Sequence, residues 1–145
     1  MIKYLTLAFT LFLSSCAATG PIYQHHELSG KNNGGLYILR ESKFVGSGNN
    51  SVITINNVKY TLKSGGYIFV ELPVGEHVVF QKSVSLINTV KVNIKSNTNT
   101  YLQYDPAVDG TDYIGVLVPH LSVGFGEVPE KDALKILPRL KLVNP

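Results

Sequence analysis

Asp105, Asp109 and Asp112 lie in the stretch "DPAVDGTD" and are the densest set of oxygen donors in the chain. Carboxylates grouped on a loop suit calcium, which takes six to eight oxygen ligands in a flexible shell. Their spacing does not follow the EF-hand pattern, and three aspartates leave most of the shell to be filled, so a solvated turn is the expectation and the ion site the alternative. His25 and His26 are adjacent and supply at most half of a tetrahedral metal site, so a solvated pair is expected. His77 and His120 stand alone in strand-like stretches, with no Ser or Cys on a recognisable nucleophile turn and no His-x-x-x-His pair. Each reads as a hydrogen-bonded strand residue. No catalytic constellation is visible, so the expectation is a protein that is not an enzyme, with no catalytic residue, metal or cofactor. One thiol remains, Cys16, the single cysteine of the 145 residues, so an intrachain disulfide is excluded.

Cys16 ends an N-terminal stretch with three parts. Met1 to Lys3 is short and positive, Tyr4 to Leu13 is apolar, and Ser14 and Ser15 are small, which is the layout of a signal peptide. The apolar part is half of the roughly 20 residues that span a bilayer. Leu13-Ser14-Ser15-Cys16 resembles the lipobox of bacterial lipoproteins. The resemblance implies that the Cys16 sulfur receives a diacylglyceryl group, that residues 1–15 are removed, and that the new amine is acylated. Two or three acyl chains anchor a protein durably where one holds it reversibly. Ala17 follows where an Asp usually retains lipoproteins of Gram-negative bacteria in the inner membrane. The implied address is the outer membrane, lipid-anchored, at its periplasmic face rather than the cell surface.

The formal net charge of +3 loses Lys3 with the signal peptide, a balance too slight for a nucleic-acid partner. Residues 16–34 carry scattered Gly, Pro, Ser and Asn without a sustained period and read as a flexible tether; its last 18 residues would span roughly 23 Å.

Residues 35–137 then form one domain. "GLYILR", "SVITI", "VKYTL", "YIFVEL", "HVVFQK", "SLINTVKVNIK", "TYLQYD" and "YIGVLVPHLSVGF" are strand-like runs rich in β-branched and aromatic residues. Val90, Val92 and Ile94 alternate with Lys91, Asn93 and Lys95, placing one face in a core and one in water. Asn56-Asn57 suits a two-residue hairpin, and "LPVGEH" a hairpin with a bulge at Gly75. The fold class is therefore all-β, an antiparallel β-sandwich of about seven to eight strands. One short helix closes it: Pro129 in its first turn, Glu130 and Asp132 near its N-terminus, Ala133, Leu134 and Leu137 on one face, and Pro138 as its stop. Residues 138–145 read as a tail. Arg40 and Glu41 read as a solvated strand end, and most tyrosines as core residues.

The Tyr37-x-x-Arg40 strand, the Gly66-Tyr67 strand leading to Pro73-x-Gly75-x-His77, and the terminal "VPEKDALKIL" resemble the domain of unknown function 2846 family of bacterial lipoproteins. That family has no assigned reaction, so the resemblance implies a fold and an address and no catalytic residue. The functional expectation is a lipid-anchored envelope lipoprotein that offers its sandwich to a protein partner, or serves a structural role. The alternative is a module for cell-wall glycan or surface carbohydrate, using exposed tyrosines beside the Asp105–Asp112 loop.

Overall fold

The computed structural model describes residues 17–83, 86–113 and 117–145, with side chains described up to Val108 and again from Ser122. Nine strands and one short helix follow in order: β1 (Asn33–Arg40), β2 (Ser51–Ile55), β3 (Val58–Leu62), β4 (Gly66–Pro73), β5 (Gly75–Lys82), β6 (Ile87–Ile94), β7 (Asn99–Tyr113), β8 (Leu117–Glu127), α1 (Glu130–Ile136) and the two-residue β9 (Lys141–Leu142). They form a five-stranded sheet in the order β8-β7-β1-β4-β9 and a four-stranded sheet in the order β3-β2-β5-β6, packed as an all-β sandwich.

The expectation of wholly antiparallel pairing needs correction, because β1–β7 and β4–β9 run parallel. Parallel neighbours require a crossover rather than a tight turn. Here the chain leaves β6 in the smaller sheet, turns through Asn97 (φ 54°), and enters β7 beside the start of β1. The β2–β3 hairpin does close on Asn56 and Asn57, both left-handed at φ 46° and 67°, the geometry that matches strand twist.

The five-stranded sheet is buried on both faces, which explains why β1 is apolar throughout while β6 alternates. Side chains on opposite faces of each strand enter different cores. Leu36 and Ile38 of β1, Ile68 and Leu72 of β4 and Leu102 of β7 face the smaller sheet, where they meet Ile53, Ile55, Val79, Val92 and Ile94. Tyr37 and Leu39, Tyr67 and Tyr101 face the other way, against Ala133, Ile136, Leu137 and Leu140. The helix therefore buries Ala133, Ile136 and Leu137, while Leu134, expected on that face, is 44% exposed. Pro138 does not stop the chain abruptly but sits inside a 3-10 turn, Leu137–Arg139, that follows α1 directly.

The stretch expected as an aspartate loop is strand. Asp105 to Tyr113 belongs to β7 and pairs with β8 from Gly124 back to Leu117. β1 accompanies β7 only as far as Gln103, so the rest of this ribbon continues past the Arg40 end of the sandwich. Pro106 is tolerated there because a strand flanked on one side only has ladder positions where no donor is needed. The register shift between Val108 and Gly110 absorbs Asp109.

Candidate functional site

The segment expected to hang free before the domain lies on it. Ala17 bridges to Ser64, and Ala18, only 4% exposed, donates its N–H to the Ser64 carbonyl. Ile22 then bridges to Lys141, with Leu142 N–H donating to Pro21 O at 2.8 Å and Tyr23 N–H to Leu140 O at 2.9 Å. The chain therefore adds a further edge to β9, and the tail forms that strand, because Val143 N–H also reaches Tyr67 O. Beyond Tyr23 this strap crosses the outer face of the large sheet towards the start of β1.

Two pins hold its second half. His26 stacks on Phe69 with ring centroids 4.3 Å apart and planes 6° from parallel, and its Nε2 lies 2.9 Å from the Tyr67 hydroxyl. Tyr23, Tyr37, Tyr67 and Tyr101 complete an aromatic cluster, with Tyr37 stacked on Tyr101 at 5.2 Å and Tyr23 edge-on to Tyr67 at 5.6 Å. Further along, Glu71 accepts from Ser29 N–H and Oγ–H, from Gly30 N–H and from Asn33 Nδ2 at 2.7–3.1 Å. His26 is thus a packing residue, not half of a solvated pair; His25 remains exposed.

Both pins are sensitive to acid. Burial first, and then the neighbouring His25, lower the His26 pKa; its other titratable neighbours are Tyr23, Tyr37 and Tyr67. The hydrogen bonds from Asn33 and then from Ser29 hold the Glu71 carboxyl down at about 2. A histidine with a lowered pKa takes up its proton more readily once released, so seating weakens as pH falls below the unperturbed 6.5. The Glu71 contribution is full above the ordinary carboxylate value and fades as pH falls from 4.5 towards about 2. Amide protection factors, exchange corrected for its intrinsic pH dependence, should therefore fall at residues 23–33 in two steps on acidification, ahead of the β1–β4 core. Protection factors that stay unchanged from pH 7 down to about pH 3 would contradict this.

Five tyrosines are structural. Tyr37, Tyr60, Tyr67, Tyr101 and Tyr104 are each at most 8% exposed, so none of these five offers a stacking platform. Tyr101 donates its hydroxyl to Glu130 at 3.1 Å, and burial followed by that carboxylate pushes its pKa up to about 12. The buried Tyr37 hydroxyl has no hydrogen-bond partner. Removing an unsatisfied buried polar group relieves its desolvation, so Tyr37→Phe should leave stability unchanged or raise it by about 1 kcal/mol, measured by urea unfolding.

At the top of β1 the side chain of Arg40 is 1% exposed, not solvated. Its Nη1 donates to Leu62 O at 2.9 Å and its Nη2 to Gly46 O at 2.6 Å and Asn49 O at 2.7 Å, with the Tyr104 ring 5.1 Å away. Nε has no partner, and no carboxylate is among the bonded groups. Desolvation therefore lowers its pKa, although a guanidinium keeps its proton. The cation organises residues 41–50 into a loop with its own bonds, Ser47 N–H to Phe44 O and Asn49 N–H to Gly46 O. Its position had a signal in sequence: Leu36, Ile38 and Arg40 share strand parity, so Arg40 points to the core side. The strap had none, being aperiodic.

Of the candidate ion ligands, Asp105 is paired with Lys43 at 2.6 Å. The side chains of Asp109 and Asp112, like that of His120 and the whole of Cys16, lie outside the described residues. Among the described residues no three His, Cys, Asp or Glu side chains are grouped to hold a metal, and no helix is long and apolar enough to cross a membrane. His77 donates Nε2–H to the Pro73 carbonyl at 2.8 Å across a turn in which Gly75 has φ 135°. The Pro-x-Gly-x-His sequence does not close the hairpin expected of "LPVGEH": β4 pairs with β1 and β9 and β5 with β2 and β6, so this turn carries the chain from the five-stranded sheet to the four-stranded one. Beside Ala18, Lys63 and Val143 an open groove of about 390 Å³ runs along the strap, with Lys63 its charged side chain.

No family model matches the chain, and neither a curated protein nor a solved structure matches it. What the arrangement shows is a strap, beginning at Ala17, sewn to the edge of the five-stranded sheet.

Proposed function

We propose that this chain is a non-enzymatic lipoprotein of the bacterial cell envelope, anchored through an acylated Cys16 and presenting a β-sandwich to a protein partner. The observation that carries the reading is the sequence Leu13-Ser14-Ser15-Cys16 after a short apolar run, with no other cysteine. Ala17 at the next position supports the outer membrane as the destination, with the domain at its periplasmic face. The resemblance to the domain of unknown function 2846 lipoproteins agrees with that address, Tyr37 and Arg40 standing at its early strand motif and Pro73, Gly75 and His77 at its turn. No metal or organic cofactor is invoked beyond the covalent diacylglyceryl and N-acyl chains.

Edge strands support the partner role. β6, of eight residues, and β8, of eleven, bound the same side of the two sheets, and no strand pairs with their outer sides among the described residues. Unpaired ladders of this length accept an added strand from another protein. A glycan module would need outward tyrosines, and the five named above face the cores.

Intact-mass measurement on protein extracted from its native host tests the anchor. The expected species lacks residues 1–15 and carries acyl groups on residue 16, and it fractionates with the outer membrane. A freely soluble chain with an unmodified Cys16 thiol would end the proposal.

A further inference from the structure

The two sheets do not finish alike. The β9 edge of the five-stranded sheet is covered by the strap, but β6 ends the four-stranded sheet with no strand on its outer side among the described residues. The inward row of side chains shows what is missing. Val90 and Asn88 stand opposite Val79 and Gln81 and share their face, yet Val79 and Gln81 are fully buried while Val90 and Asn88 are only half-buried. On β8, at the matching edge of the other sheet, Val123 and Phe125 are likewise only partly buried against the inter-sheet core. One more strand beside β6 would set its alternate side chains over Val90 and complete that row.

β6 is built to take it. All eight of its residues pair with β5 in continuous register, from Gly75 opposite Ile94 to Lys82 opposite Ile87, without proline or bulge. The other edges are poorer: β3 has five residues, and β8 carries Gly124 and Gly126, which weaken a strand. Proteins guard such edges with lysine. Here Lys91 stands mid-strand on the solvent face with Ile87, Thr89 and Asn93, its side chain 70% exposed. Lys82, opposite Ile87, shares that face, and the exposed Lys95 follows the strand. Glu76 is the carboxylate beside them, 3.0 Å from Lys91, an exposed pair of little worth. Antiparallel pairing of β6 with β6 of a second copy sets the two Lys91 side chains opposite or diagonal in its central registers, where like charges repel. A guard that rejects its own kind admits a strand with carboxylates. Glu127 confines that preference to the solvent side, because it is paired with the inward-facing Leu102 and would oppose a carboxylate turned into the gap.

We propose that the outer edge of β6 takes up an extended acidic segment of a partner protein as a fifth strand of the smaller sheet. Its apolar side chains turn inward over Val90 and its carboxylates outward beside Lys91. This deepens the partner role proposed above and rests on that role, not on the anchor. Main-chain hydrogen bonds supply the attachment, and the alternation of side chains supplies the choice of partner.

The test uses the mature protein from its native host in uncharged detergent micelles, with a fluorescein-labelled synthetic peptide that alternates valine with glutamate. The same peptide with lysine in place of glutamate is its counterpart. Fluorescence anisotropy reads the affinity and hydrogen exchange reads the site. The expected result is binding of the glutamate peptide with slowed exchange at residues 88–94 and none at β3 or β8. The lysine peptide should bind about tenfold more weakly, and Lys91→Glu should shrink that difference. No binding, binding without a charge preference, or protection elsewhere overturns the proposal. Protection of residues 88–94 that rises with protein concentration in the absence of peptide assigns the edge to a second copy, and also overturns it. Any of these results on acylated protein leaves the anchor standing, whereas peptide bound at β6 of a chain with an unmodified Cys16 ends the anchor and keeps the edge.

Discussion

Arg40→Ala should destabilise the protein by about 3 kcal/mol, a large part of the 5–15 kcal/mol that holds a domain of this size together. Three carbonyls lose their donor: Leu62 O at the end of β3, and Gly46 O and Asn49 O in the loop. A buried acceptor left unpaired costs about 1–3 kcal/mol, and the two loop carbonyls recover part of that by opening to water. The stem of Arg40 also leaves a void between the sheets. Arg40→Lys should recover little, since one ammonium cannot replace a planar fork that reaches three oxygens on two segments. Arg40→Met, which keeps the volume and removes the desolvated charge, should lie between wild type and alanine. Urea unfolding measures all three, and hydrogen exchange in residues 41–50 should rise in each. A loss below about 1 kcal/mol for alanine would mean that burying an unpaired cation cancels the worth of its bonds.

Local pattern made much of the architecture legible, and topology hid the rest. The hairpin at Asn56-Asn57 and the inward set Val90, Val92 and Ile94 were readable because turn chemistry and period-2 alternation act over neighbouring residues. Arg40 was legible by parity and misread by type, since arginines at strand ends are usually solvated; only the folding back of residues 41–50 supplies the carbonyls that bury it. "DPAVDGTD" misled because Asp, Pro and Gly favour turns, whereas a two-stranded ribbon accepts them where nothing lies on its other side. The strap was invisible for a different reason. It contributes isolated side chains, Tyr23 and His26, to a surface built by β1, β4 and β7, so it carries no repeat of its own. Likewise the parallel placement of β7 beside β1 follows from the crossover between sheets, which no single segment encodes. Of the candidate site residues, Cys16 is singled out by the sequence alone, while the seating of the segment that follows it took three dimensions to see.

The strap can be tested without touching either of its side-chain pins. A Cβ on Gly20 would fall on the carbonyl oxygen of Leu142, a backbone atom with little room to yield. Gly20→Ala should therefore lift residues 17–23 from β9 at a cost of about 1–3 kcal/mol, the usual penalty for forcing an extra methyl into a packed contact. The bonds lost with it are Ala18 N–H to Ser64 O, Leu142 N–H to Pro21 O and Tyr23 N–H to Leu140 O, and β9 itself loses one of its two neighbours. The inter-sheet core does not include this segment, so far-ultraviolet circular dichroism should keep its sheet signature while exchange at residues 18–23 and 140–143 rises sharply. Unchanged exchange at residues 18–23 in Gly20→Ala would mean that the Leu142 backbone yields to the added methyl and the strap stays seated.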